Sequence, residues 1–296
     1  MTERSKGLMM ACLGASLWGG SGVAGQYLLQ NCGFSTGWLV VSRMLIAGVV
    51  LLCLDVFLYR ESIFRIWTDR KDTRDMLVFA ILGMLSVQYT YFACIKSGNA
   101  AAATVLQYLM PVIIVGYTAV SSCRLPKIHE LVCVVMAVGG TFFLVTHGSL
   151  GKLTIPIEAL LWGLASALAA AVYTMKPQRM ILKWRATLII GWGMLLGGFC
   201  LMPLCPPWLF DGRWELISGL IYAYVIIFGT IMAFGCYLGS LKYIQPAEAG
   251  ILGSLEPLSA IIFSIVFLGM SFGLMDILGT ALIVGAVVLL AKRGGK

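Results

Sequence analysis

The chain is a set of long apolar runs that occurs twice. Tyr91, Lys96, Ala101, Ala103, Leu106, Leu109 and Pro111 recur 146 positions later as Tyr237, Lys242, Ala247, Ala249, Leu252, Leu255 and Pro257. Gly83 and Gly229 keep that shift upstream, and Val138–Gly139 and Val284–Gly285 keep it downstream. Nearer the start of each copy the shift becomes 150, pairing Ala15–Ser16 with Ala165–Ser166 and Met44–Leu45 with Met194–Leu195. Each copy holds an odd number of apolar runs, so in a bilayer the two copies must face opposite ways. Inverted repeats of this kind mark secondary carriers, whose site lies near the midplane between the halves.

Composition puts the runs in a membrane. Of 296 residues, 60% are hydrophobic and 11% charged, more apolar surface than a water-soluble domain can hide. A bilayer needs stretches of about 20 apolar residues to cross it as helix. The runs are rich in Leu, Ala, Gly, Ile and Val and lack the alternation of membrane barrel strands. Ten spans fit, at 8–29, 36–58, 76–95, 100–122, 129–147, 157–175, 187–205, 215–238, 247–268 and 275–291. The expected fold is therefore an all-α polytopic membrane protein, with ten transmembrane helices as two inverted five-helix repeats (residues 1–149 and 150–296). The first run aligns with an internal run of the second copy, which makes it a retained helix rather than a cleaved signal.

The distribution of Lys and Arg predicts orientation. With the N-terminus inside, seventeen of the twenty-one basic residues fall in the termini and even-numbered loops. Both termini are then cytoplasmic, and the net charge of +8 is a positive-inside bias that calls for no nucleic-acid partner. Nine cysteines sit mostly within the runs without metal-ligand spacing and read as small apolar residues. Cys32 and Cys205, near the outer face, are a candidate pair. No metal or cofactor motif, P-loop or catalytic constellation is present, which disfavours an enzyme.

Ionisable groups inside a bilayer are costly and so become functional candidates. Glu256 falls about nine residues into the ninth span, roughly 14 Å deep, and Arg43 about seven residues into the second, roughly 10 Å. Neither is repeated: Met110 stands opposite Glu256 and Gly193 opposite Arg43. The two could pair with each other or meet a substrate. Pro111 and Pro257 predict matched kinks in the fourth and ninth spans. Trp18, Ser21, Gln26, Gln88, Tyr91, Gln107, Tyr108, Tyr173 and Trp192 are candidate lining residues, Gln88 and Gln107 foremost because an amide in hydrocarbon needs a partner. Tyr27, Trp38, Trp208 and Trp214 read as interface anchors. Glu130 and Asp276 fit helix N-termini. The Gly193/Gly197 and Gly235/Gly239 pairs suit close helix packing or a homodimer.

With these residues in view, the chain resembles the EamA family of the drug/metabolite transporter superfamily. The resemblance rests on Gly14–Gly19, Arg43–Met44 and Leu109–Pro111 in the first copy. In the second it rests on Leu255–Pro257, Phe267–Gly269, Leu278–Gly279 and Gly285. It implies two inverted five-helix units around a central cavity, and export of amino acids or related compounds across a prokaryotic inner membrane. One departure is visible. Where the family often has Gly-Glu at the ends of the fourth and ninth spans, this chain reads Cys123–Arg124 and Gly269–Met270. The sequence leaves open proton coupling at Glu256 and a non-transporting scaffold or sensor subunit as the rival reading. The expected partners are a small-molecule substrate and the lipid bilayer.

Overall fold

The computed structural model describes residues 2–121, 128–148, 154–244 and 246–293. Cys123, Arg124 and Lys152 lie outside these residues. The described residues are helical, without strands. In chain order the helical segments are α1 (Glu3–Asn31), α2 (Thr36–Tyr59), α3 (Arg70–Ser97) and α4 (Ala100–Ser121). There follow α5 (Ile128–Thr146), α6 (Ile157–Ile181), α7 (Ala186–Leu201) and α8 (Leu216–Ser240). Last come α9, in two pieces (Pro246–Gly253 and Leu255–Leu268), and α10 (Leu274–Arg293). Six of these (α1, α2, α3, α4, α6 and α8) are long and apolar enough to cross a bilayer, and the others carry shorter apolar stretches.

Helix starts are set by short polar side chains that accept from otherwise unpaired N–H groups. The Ser35 hydroxyl accepts from Trp38 N (3.2 Å), Asp69 from Lys71 N (2.8 Å) and Asn99 from Ala102 N (2.8 Å). The Asn99 cap lets α4 begin directly after α3 turns back. At the other end of α9, Gly269 takes φ 63° and stops the helix, a conformation that costs glycine little.

The packing exchanges equivalent helices. α1 lies along α8 and α9, while α6, its counterpart by the 150 shift, lies along α3 and α4. α2 packs on α7, and α5 on α10. In the α2–α7 contact a Cβ on Gly48 would come 2.7 Å from Leu195 N, and one on Gly198 would come 2.8 Å from Leu45. Gly48 and Gly198, like Leu45 and Leu195, are 150 positions apart, so each copy gives the same glycine to the other's leucine.

Gly193 and Gly197 are likewise used inside the chain, against Phe79 and against Met44 with Ala80. Gly235 meets nothing within 4 Å. Cys32 and Cys205 are free thiols rather than a disulfide. Trp38 is not an interface anchor: it is 4% exposed, packs with Phe34, Trp214 and Tyr222, and donates from Nε1 to the Pro207 carbonyl.

The α2–α3 and α6–α7 connections meet at one end of the bundle in a network of ion pairs. Buried Asp55 accepts from Arg185 (3.1 and 2.8 Å) and from the Thr187 hydroxyl, and Arg185 also reaches Glu61 (2.7 Å). Buried Asp72 accepts from Lys183 (2.6 Å) and Trp184 Nε1 (2.9 Å). The Asp55 carboxylate, then Glu61, holds Arg185 well above its ordinary value. The backbone N–H of Lys71, with the Lys183 ammonium, pulls Asp69 below the usual carboxylate range.

Candidate functional site

Two helices are broken near the middle of the molecule, and the breaks explain the site. In α4 the α-helical pieces are Ala100–Gln107 and Met110–Ser121, with Tyr108 and Leu109 in a turn between them. In α9 the break falls at Ser254. Proline has no N–H to return to the carbonyl four residues earlier, so Pro111 frees the Gln107 carbonyl and Pro257 the Gly253 carbonyl. At each proline the α-helical run lapses for one or two residues, where the sequence predicts a kink. The Tyr108 hydroxyl, from the break in α4, donates to the freed Gly253 carbonyl in α9.

Beside this crossing lies a cavity of about 720 Å³. Trp18 and Ser21 of α1, Arg43 of α2 and Gln88 and Tyr91 of α3 line it, as do Gln107, Tyr108 and Pro111 of α4. Tyr173 of α6 and Glu256 of α9 complete the set of expected residues brought to one space. Pro257 is buried and is not among the residues that line the cavity. Trp192 is elsewhere: its Nε1 donates to the Ile63 carbonyl (3.0 Å) and its ring packs on Phe64 and Trp67. Gln26 is also outside, accepting from Ala100 N (2.8 Å) at the start of α4.

Arg43 and Glu256 share the cavity without pairing. Arg43 is 5% exposed; its Nε donates to Thr230 Oγ1 (2.7 Å) and its guanidinium lies 5.0 Å from the centre of the Phe92 ring. Glu256 is half-buried at the cavity surface, which Tyr91, Tyr108 and Tyr237 also line. Gln107 donates to Ser166 (2.9 Å), the partner its amide required, whereas Gln88 has none among the described residues. Tyr91 bonds Thr104 (2.8 Å) and Tyr237 donates to the Ala249 carbonyl (3.1 Å). Thus each copy ties its third helix to its fourth through a matched tyrosine.

Tyr237, Phe234 and Gly253 also line the cavity, and the 146-residue shift could have found them. They are the counterparts of Tyr91, Gln88 and Gln107. Glu256 and Met110, a fourth such pair, both line it too. Thr230, inside an apolar run, carried no comparable signal.

The cavity reaches the bundle end that holds the ion-pair network, where Pro177, Ile181, Ala186 and Leu241 line it. At the opposite end Gln30 donates to the Ile95 (2.8 Å) and Gly98 (2.9 Å) carbonyls, and Gln26 to Gln30 (3.0 Å). These bonds fasten the end of α1 to the α3–α4 turn.

Residues 5–146 and 157–292 each match the EamA-like transporter family. The chain belongs to that family. YicL of Salmonella typhimurium, described as an uncharacterized inner membrane transporter, is 39% identical over 98% of this chain and 97% of its own length. An uncharacterized transporter of Archaeoglobus fulgidus is 25% identical, over 73% of this chain and 76% of its own. A crystal structure described only as that of a protein has the same fold, with a TM-score of 0.65 over 99% of this chain and 100% of its own at 19% identity. As a member of the EamA-like family this protein is a membrane transporter and not an enzyme.

Proposed function

We propose that the protein exports a small metabolite, an amino acid or a related compound, across the inner membrane by alternating access. In this reading the ten helical segments are two inverted five-helix repeats, residues 1–149 and 150–296, which rock about the breaks in α4 and α9. The exchange of equivalent contacts between the copies, and the paired lining positions, support that arrangement. The two basic connections meet at one end of the bundle. By the positive-inside rule that end is cytoplasmic, together with both termini, and the cavity opens inward.

One observation carries the substrate class: a cation and a carboxylate face a single cavity yet are not paired with each other. An amino acid brings both opposite charges, with its carboxylate for Arg43 and its amine for Glu256. Most of the remaining lining is apolar or aromatic, which suits an uncharged side chain. The cavity volume falls within the roughly 300–1,000 Å³ common for small-molecule sites. In the absence of an amine, Glu256 is the group that would take up a proton and couple transport to a gradient.

The test is flux from proteoliposomes loaded with an amino-acid-rich metabolite mixture, followed by mass spectrometry. Wild type and Glu256→Gln are compared with and without a pH gradient. Selective release that responds to the gradient only in wild type is expected. Release identical in both proteins would remove the coupling role, and no release from folded protein would refute transport of this class.

A further inference from the structure

Among the described residues Arg43 is held through one nitrogen. Nε donates to Thr230 Oγ1 at 2.7 Å, and Thr230 Oγ1 donates in turn to the Val225 carbonyl at 2.9 Å. That second bond commits the hydroxyl proton, so Thr230 can only accept from Arg43, and the polarity of the chain is fixed. Thr230 is fully buried. Among the described residues no hydrogen bond reaches either Nη atom of Arg43, and neither is sealed away from solvent, since Arg43 lines the cavity.

Local backbone geometry makes this grip. Residues Ile227–Met232 of α8 form a π-turn. The extra residue in such a turn changes which side chains face inward, and π-turns recur at functional positions. Here the turn sets Thr230 against Arg43, with its hydroxyl reaching back five residues to Val225. Phe92 covers the guanidinium from one side. With Nε gripped and the Phe92 ring on one side, the two Nη groups remain as a fork, the geometry that receives a carboxylate through two parallel bonds.

We propose that Thr230, presented by the π-turn of α8, is a positioning residue that presets Arg43 as the carboxylate-binding fork of the cavity. This rests on the transport reading above for its substrate class, and its test is independent of flux. Phenylglyoxal condenses with the Nη pair of arginine, and peptide mass spectrometry reads its rate at Arg43 alone. Protein in lipid nanodiscs is labelled in the presence of 4-methylpentanoate, L-leucine or leucinamide, probes that differ in carboxylate and amine. In wild type the two carboxylates should slow labelling at Arg43 and leucinamide should not. Thr230→Ser, which keeps the acceptor, should behave as wild type. Thr230→Val should still label, with the concentration for half-protection raised about tenfold, the loss of one oriented charge-assisted bond. Thr230→Ala carries the same expectation if the valine variant does not fold.

Leucine flux in Thr230→Val should show a raised KM with the maximal rate within about twofold of wild type, a split that a merely structural role would not produce. Equal half-protection in wild type and Thr230→Val would overturn the proposal. So would equal protection by leucinamide, or no labelling of Arg43 in folded wild type. Protection without leucine flux would support the fork and sink amino-acid transport. Flux without protection would sink the fork and leave transport standing.

Discussion

Tyr108→Phe tests the central crossing. Pro257 has no N–H, so within α9 the Gly253 carbonyl lacks the donor that any other residue would return to it. Tyr108 supplies a donor from the other copy, and Gly253 is buried. Removing the phenolic oxygen leaves a buried acceptor without its bond, at a cost of about 1–3 kcal/mol. Gly253 lines the cavity on one side, so the lower half of that range applies. The decisive comparison is a double-mutant cycle with Pro257→Ala. Alanine restores an N–H at position 257, the helix can satisfy Gly253 itself, and the Tyr108 hydroxyl becomes redundant. Tyr108→Phe should then cost about 1 kcal/mol less in the alanine background, a coupling larger than the few tenths expected of independent sites. Unfolding of the four proteins in nanodiscs, followed by tryptophan fluorescence, measures it. Equal costs in both backgrounds would refute the account of the break.

Three further outcomes follow from other parts of the molecule. Asp55→Asn breaks a fully buried carboxylate away from Arg185 and Thr187. It should destabilise the protein by about 3 kcal/mol and loosen the α6–α7 connection, read as faster limited proteolysis there. Gly19→Ala places a Cβ 2.6 Å from the Glu256 carbonyl. It should cost about 1–3 kcal/mol as overpacking and lower flux more than it lowers expression; unchanged flux would show that α1 and α9 can separate freely. Hydrogen bonding by Ser35 holds Asp211 below the ordinary carboxylate range. A depressed folded value stabilises above the unfolded value, about 3.9, and that stabilisation is lost as pH falls through the folded value. Acid melting curves below about pH 4 should therefore flatten in Asp211→Asn, and an unchanged acid limb would contradict the assignment.

What the sequence made legible was periodic or expensive. Apolar runs declare helices, and a charge placed among them declares itself, so Arg43 and Glu256 stood out and now meet in one cavity. A proline marks a freed carbonyl wherever it falls within a helix, though not how far the helix opens or what fills the gap; Tyr108 was known as a neighbour, not as the donor to Gly253. Trp192 misled because its position along a span gives depth without direction. Its partner is the Ile63 carbonyl of a short 3-10 segment, Ile63–Thr68, which no hydrophobic period announces. Trp38 misled for a related reason: the loop carrying Trp214 folds back over it and turns an apparent lipid anchor into core. Thr230 was invisible because the π-turn that aims it inward shifts the helical register on which any facing argument depends.

The duplicated scaffold and the unduplicated chemistry have different physical causes. Close helix contacts depend on shape, so both copies keep the same solution, as Gly48 on Leu195 and Gly198 on Leu45 show. Four pairs of equivalent positions line the cavity; Tyr91 and Tyr237 keep their side chain and the other three pairs differ. Gln88 faces the site where its counterpart is Phe234, Gln107 where it is Gly253, and Glu256 where it is Met110. A substrate with one charged end and one apolar end cannot be met equally by two identical walls. A cavity lined by both copies becomes selective only when one copy gives up its partner's side chains at some lining positions while keeping them in the packing. Arg43, standing where the other copy has Gly193, is the sharpest instance. The glycine lets Phe79 close against α7, with a Cβ there meeting that ring at 2.7 Å, so one member of the pair serves the fold while the other serves the cavity.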